Sequence, residues 1–390
     1  MNRFLFIIAL LIHSLIFSNP LKINTSAKSA ILINAENGKV LFEKNSHDRF
    51  FPASTAKVAT VLYVLETVSD INQYTVATSD ALEFIPVEEK HKNYNCQPHL
   101  LEKDAVLISG LSPGVNVSLK DLIYASMLIS ANDASNILAE SVSGSIPMFM
   151  EELNNFLQDI GCKNTYFKNP HGLHFPEHYS CASDLALILQ KAIRNKTFRE
   201  IVTTRTYQPS FRDEKIQATC QLLLKNYKYY YPKIFCAKTG YTSKAGYNLI
   251  AAAKDENRTL IAVVLGHDSI KERCVDITNI FEKAFNEPKA VITPFYKGQE
   301  FEKKIPGGKM PLTALIYEDL TAEYYPSEKE EFKVFIEWEP FNLPIKQGQE
   351  VGKLILKSED KVFKEVPLIA NNGVKKTYFS WIKDFFKKSS

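Results

Sequence analysis

In the stretch Phe51-Pro52-Ala53-Ser54-Thr55-Ala56-Lys57, a serine and a lysine stand three residues apart at the start of a helical pattern. That spacing puts both side chains on one helix face, one turn apart. A serine hydroxyl is a poor nucleophile until a neighbouring base takes its proton, and a desolvated lysine is such a base. The helix running on to Val68 is mostly apolar, so burial would push the lysine pKa down and make its neutral amine accessible. The helix N-terminus adds backbone N–H groups where an oxyanion would develop. Two further elements carry polar chemistry. Ser130-Ala131-Asn132 lies between two helical patterns, and Lys238-Thr239-Gly240 ends the apolar run from Ile234. A lysine and a threonine at a strand end, followed by glycine, suit an edge that a substrate backbone approaches closely. Taken singly, each element also has a structural reading: a capped helix start, a helix stop followed by a polar N-cap, and a strand entering a turn. Ser-x-x-Lys recurs at Ser358–Lys361 and Ser380–Lys383, which read as solvated or membrane-facing.

The rest of the composition narrows the chemistry. The chain has 390 residues, room for two or three domains at roughly 150 residues each. Its 45% hydrophobic, 12% aromatic and 23% charged residues exclude a disordered, collagen-like or polytopic membrane chain. A net charge of +3 is too small for the field of a dedicated nucleic-acid binder, and no nucleic-acid partner is expected. Six cysteines in this length do not make a disulfide scaffold, and no pairing is assigned. There is no CxxC, HExxH, Walker A or GxGxxG signature, so the chemistry is read as side-chain chemistry with no metal and no cofactor. His171, His174 and His178 have a helical spacing, but Pro170, Gly172 and Pro176 interrupt any helix that would align them.

The elements that must hold these residues follow from periodicity. Asn37-Gly38 between two apolar runs predicts a hairpin within Ser29–Phe42. Helices are expected over 54–68, 119–128, 134–142, 146–160, 183–193 and 270–285, and strands over 233–237, 249–253 and 260–265. Asn286-Glu287-Pro288 breaks this pattern. Short β-rich runs follow at 290–295, 300–305, 312–317, 332–338, 351–356 and 361–369, which suggests a small β-sandwich. At the N-terminus one arginine, an apolar run from Phe4 to Phe17 and Ser18-Asn19-Pro20 make a secretory signal over residues 1–18, too short to span a bilayer as a mature helix. At the C-terminus Tyr378, Trp381, Ile382 and Phe385 form one helical stripe with a local charge of +4 around it. Residues 375–390 are therefore read as an amphipathic helix lying in an anionic membrane surface, against the plainer reading of a helix docked on its own domain.

Ser-x-x-Lys, Ser-x-Asn and Lys-Thr-Gly occur here in that order, on helix, loop and strand. The set resembles that of penicillin-binding proteins and class A β-lactamases. Three stretches, Ser29–Lys57, His171–Ala186 and Lys238–Leu249, narrow the resemblance to the low-molecular-mass D-alanyl-D-alanine carboxypeptidases. Lys346–Leu354 and the terminal helix are similar to that family's second domain and membrane anchor. The resemblance implies an α+β architecture with three parts. These are a β-lactamase/transpeptidase-like catalytic domain with an antiparallel sheet flanked by helices (19–286), a β-sandwich domain (289–370) and the tail helix.

It also implies a hydrolase outside the cytoplasmic membrane that removes the terminal D-alanine of peptidoglycan stem pentapeptides and is acylated by β-lactams. Ser54 would form the acyl-enzyme, Lys57 would be the general base, and Ser130 would relay a proton to the leaving amine. Asn132 would bond the substrate amide, and Lys238 would hold the local charge. Gly240 would permit close approach, and the N–H groups of Ser54 and Tyr241 would make the oxyanion hole. Thr239, Thr242 and Arg273 would bind the terminal carboxylate; a solvated helix arginine is the plainer reading of Arg273. A β-lactamase, a DD-endopeptidase of the same superfamily and an inert peptidoglycan-binding scaffold remain as alternatives. Two features depart from the family. Ala131 stands where glycine is common, and the segment from about Glu83 to Asp104 is longer and more charged than usual.

Overall fold

The computed structural model describes residues 7–10, 20–256, 258–328 and 330–378. The chain divides into two compact units, with the boundary after Asn286.

The first unit is built around an antiparallel five-stranded sheet. Its strands are β1 (Ser29–Asn34), β2 (Val40–Lys44), β3 (Ile234–Thr242), β4 (Gly246–Asp255) and β5 (Arg258–His267), in the order β2-β1-β5-β4-β3. The expected hairpin joins β1 to β2, with Gly38 at φ 75° in the turn, a conformation open to glycine. All six residues of β1 are buried, because helices cover both faces of the sheet. Ile31 and Ile33 face a core with α1 (Lys57–Thr67), α3 (Leu119–Leu128), α4 (Asn132–Ser143), α5 (Ile146–Asp159), α6 (Ala182–Ala192) and α7 (Lys196–Thr203). Ala30 and Leu32 face the opposite side, against Ile277, Ile280 and Phe281 of α8 (Ile270–Phe285). A strand covered on both sides reads as a continuous apolar run rather than an alternating one. Polar N-caps start several helices: Ser118, Ser145 and Ser269 each accept a backbone N–H three residues on.

The sheet differs from expectation at the strand that matters most. β3 does not end at Ala237 but continues through Lys238, Thr239 and Gly240 to Thr242, paired residue by residue with β4. The Lys-Thr-Gly element therefore lies within an edge strand. Two helices were not anticipated by periodicity: α7, and α2 (Val87–Asn93), in which Lys90 alone is buried.

The second unit is sheet-rich. Its strands are β6 (Ala290–Phe295), β7 (Glu300–Lys303), β8 (Leu312–Ile316), β9 (Leu320–Tyr324), β10 (Phe332–Trp338), β11 (Glu350–Ser358) and β12 (Lys361–Ala370). β10-β11-β12-β8-β7 form one antiparallel sheet, and β6 pairs with β9. Leu320 and Ala322 of the small pair share a core with Leu312, Val334, Leu354 and Leu368 of the larger sheet, a sandwich-like arrangement.

Of the N-terminal apolar run, Ile7–Leu10 pairs antiparallel with β10, whereas a secretory signal is expected to take no part in the fold. The other residues of the 1–18 signal lie outside the described residues. At the other end, Lys376 bridges Gly308 and Thr377 N–H donates to Gly307 O, so the first residues of the expected tail helix run extended. Its apolar stripe beyond Tyr378 lies outside the described residues. No helix among the described residues is long and apolar enough to cross a membrane.

Candidate active site

Ser54 sits in a 3-10 turn, Ala53–Ala56, that leads directly into α1. The i, i+3 spacing carries Lys57 back under the serine, with Nζ 3.1 Å from Ser54 Oγ. Lys57 is fully buried. Its Nζ donates to Asn132 Oδ1 at 2.6 Å and to the His171 carbonyl at 2.5 Å. A neutral amine has two N–H bonds and one lone pair. In that form, with both N–H groups taken by these acceptors, the lone pair would face Ser54 Oγ, as proton abstraction requires. Burial, aided by the nearby positive charge of Lys238, holds the Lys57 pKa well below its ordinary value, while Asp133 opposes this. Asp133 is itself buried, its carboxyl pushed up to about 6 by desolvation, and it accepts from the N–H groups of Ile108 and Ala134.

The second element enters through the α3–α4 turn. Ser130 has φ 67°, a strained conformation for a residue with a side chain, and its Oγ accepts from Lys238 Nζ at 2.9 Å. Ala131, at φ −60°, has ordinary backbone geometry, so alanine is accommodated where glycine was expected; the strain falls one residue earlier. Asn132 opens α4, which turns its side chain inward to Lys57.

β3 brings the third element alongside the serine turn. A Cβ on Gly240 would lie 2.8 Å from Pro52 O and 3.1 Å from Ser54 N, so only glycine lets the strand approach this closely. Lys238 is buried, and desolvation brings its pKa down to about 7, with Arg273 adding to the effect. Thr239 is half-buried and Tyr241 is 55% exposed, its ring tilted against that of Tyr247 with centroids 4.4 Å apart. Thr242 Oγ1 accepts from Ala245 N–H and so braces the turn after β3. Arg273 is 7% exposed rather than solvated: Nη1 donates to Asn248 O and the guanidinium lies 5.7 Å from the Tyr247 ring.

Three contributors have no counterpart among the residues singled out by motif. The His171 carbonyl is one of the two acceptors of the Lys57 N–H groups, although spacing offers His171 only as a metal candidate. Gly172, at φ 92°, packs so close to Ala53 that a Cβ would overlap its carbonyl. Asn248 Nδ2 donates to Phe51 O and Pro52 O while its Oδ1 accepts from Gly266 N–H, which clamps the serine turn to the sheet. The three histidines diverge. His171 Nε2 meets His99 O, His178 Nδ1 accepts from Lys168 N–H, and His174 packs edge-on to Phe51.

The three motifs thus converge around Ser54, a Ser–Lys acyl-transfer arrangement. The sequence profile of the D-alanyl-D-alanine carboxypeptidase family matches residues 16–269, and that of the penicillin-binding protein 5 C-terminal domain matches 291–376. The D-alanyl-D-alanine carboxypeptidase DacF of Bacillus subtilis is 32% identical over 361 residues, covering 90% of this chain and 87% of that protein. Penicillin-binding protein 5 of Haemophilus influenzae superposes with a TM-score of 0.60 at 27% identity, over 91% of this chain and 99% of the other. Penicillin-binding protein D2 of Listeria monocytogenes, solved in its ampicillin-bound form, gives 0.56 at 25% identity over 68% of this chain and 99% of its own. The chain belongs to the D-alanyl-D-alanine carboxypeptidase family of serine-type hydrolases.

Proposed function

We propose that this protein removes the terminal D-alanine from peptidoglycan stem pentapeptides outside the cytoplasmic membrane. The observation that carries the reading is the buried Lys57 amine, 3.1 Å from Ser54 Oγ and within hydrogen-bond distance of Asn132 Oδ1 and the His171 carbonyl. Ser54 Oγ attacks the carbonyl between the two D-alanines and gives its proton to Lys57. The oxyanion forms against the N–H groups of Ser54 and Tyr241. As the C–N bond breaks, Ser130 gives its hydroxyl proton to the leaving D-alanine amine and takes up the proton held by Lys57, which returns to the neutral amine, while Lys238 supplies the charge that makes the Ser130 hydroxyl a better acid. Asn132 holds the substrate amide. Arg273, Thr239 and Thr242 receive the terminal carboxylate, for which a fixed guanidinium is suited. Water, activated by Lys57, then cleaves the Ser54 ester and restores the enzyme.

A β-lactam presents a strained amide and a carboxylate in the same relation, so it acylates Ser54. The ampicillin-bound Listeria relative supports that expectation. A labelled penicillin is expected to mark the wild-type chain and to leave Ser54→Ala unmarked; persistent labelling of Ser54→Ala would overturn the assignment.

The leader over residues 1–18 directs the chain across the membrane, and the basic, aromatic tail over 375–390 holds it peripherally on an anionic surface. Full-length protein is expected to co-sediment with phosphatidylglycerol vesicles and to lose most of that binding on Trp381→Glu with Ile382→Glu. Equal sedimentation of both would remove the anchor.

A further inference from the structure

The charged stretch from about Glu83 to Asp104 contains a fully buried lysine, Lys90 of α2. Its Nζ lies 2.8 Å from Glu102 Oε1 and donates to the Leu100 carbonyl at 3.2 Å. An ammonium kept from water is costly unless it is paired, and here its ion pair with Glu102 and its hydrogen bond to the Leu100 carbonyl hold both ends of the short run Leu100–Glu102.

Immediately before that run, two carbonyls face the loop Asn169–Leu173. Asn169 Nδ2 donates to Pro98 O at 3.2 Å, and His171 Nε2 meets His99 O at 3.0 Å. Asn136 Nδ2, from α4, also donates to His99 O at 3.0 Å. Leu173 N–H donates to His171 Nδ1 at 3.1 Å, so the imidazole satisfies both contacts only as the neutral Nε2–H tautomer. Burial above all keeps this ring uncharged, and the charge of Lys90 acts in the same direction. The carbonyl of the same residue receives the Lys57 N–H.

We propose that Lys90 is a positioning residue for acyl transfer: it anchors the Pro98–Glu102 backbone as a platform for the Asn169–Leu173 loop, and through that loop it sets the His171 carbonyl against Lys57 Nζ. The inference rests on Lys57 acting as the general base. It gives this charged segment a task inside the site rather than at its rim. The segment presents backbone carbonyls to the loop whose His171 carbonyl meets Lys57, and their placement depends on a buried side chain that itself never reaches the reacting groups.

Lys90→Met keeps the bulk of the stem and removes the donors. Acylation by a labelled penicillin is expected to slow by roughly 10- to 100-fold with non-covalent affinity unchanged, the usual consequence of displacing a reacting group by about an ångström. In the ¹⁵N spectrum of the imidazoles, His171 is expected to lose its Nε2–H, Nδ1-acceptor signature. A purely structural role would lower thermal stability without moving that signal. Acylation within about twofold of wild type, or slowed acylation with the His171 signal intact, overturns the proposal. Should Lys90→Met fail to fold, Lys90→Met with Glu102→Leu leaves no unpaired buried charge and carries the same readouts. A wild-type His171 found as the Nδ1–H tautomer would break the chain of contacts without any variant. Wild-type protein that penicillin does not acylate at all would instead remove the reading on which the inference stands.

Discussion

Lys57→Met is expected to lower D-alanine release from a pentapeptide by on the order of 10⁴-fold, since loss of the base leaves only binding and oxyanion stabilisation to act. Methionine matches the lysine stem in bulk, so the Ser54 turn should keep its place. What is lost is the amine that lies 3.1 Å from Ser54 Oγ, placed to take its proton.

The pH dependence of kcat/KM separates this from general damage. In the wild type it should rise on the acid side as Lys57, whose pKa burial depresses, gives up its proton. It should fall above about 7 as Lys238 loses the charge that serves Ser130 and the substrate carboxylate. In Lys57→Met the acid limb should vanish while the alkaline limb stays. Stability responds in a matching way. Between the depressed folded pKa of Lys57 and its ordinary value, the unfolded chain carries a proton that the folded chain lacks. Wild-type stability therefore rises with pH across that window, and the slope should be shallower in Lys57→Met. Activity within about tenfold of wild type, or an unaltered acid limb, would show that another group takes the proton.

The elements of the candidate site were legible in the sequence wherever chemistry and local geometry coincide. Ser54 and Lys57 are one turn apart, so their meeting depends on a single helix start, and Ser130 and Asn132 fall in the turn between two strongly periodic helices. Lys238-Thr239-Gly240 was legible as an element but misread as a strand end, because glycine is ordinarily a strand breaker. Here Gly240 continues the strand, and its missing side chain makes room for Pro52 and Ser54. α2 escaped notice because Val87-Glu-Glu-Lys-His-Lys-Asn93 has no apolar stripe, and its one buried residue is a lysine. The acceptor role of His171 had no signature at all. A backbone carbonyl is the same in every residue, and only the path of the loop decides which one meets a distant amine.

That loop path also sets the second large effect expected. Gly172→Ala should cost about 3–5 kcal/mol of stability and slow acylation by about 100-fold or more, more than its single methyl group suggests. Two penalties combine. The residue stands at φ 92°, where a side chain is strained, and the new Cβ would overlap the Ala53 carbonyl and lie 2.9 Å from Ser54 N. Neither neighbour is a flexible side-chain end that can swing away. Ala53 is held at φ 50° on one side, and the glycine's own N–H is bonded to Asn169 Oδ1 on the other. Relief therefore comes only from pushing apart the two backbones that carry Ser54 and the His171 carbonyl, which disrupts the nucleophile and its base together. Gly144, the cap that ends α4, has a similar φ of 78°, but a Cβ added there would meet nothing within 4 Å. Gly144→Ala should thus cost only about 1 kcal/mol from backbone strain and leave acylation unchanged. Denaturant midpoints and penicillin acylation rates for the two variants decide the matter. Equal, mild behaviour would mean that the loop and the serine turn can separate freely, contrary to the tight packing that the Ser–Lys chemistry needs.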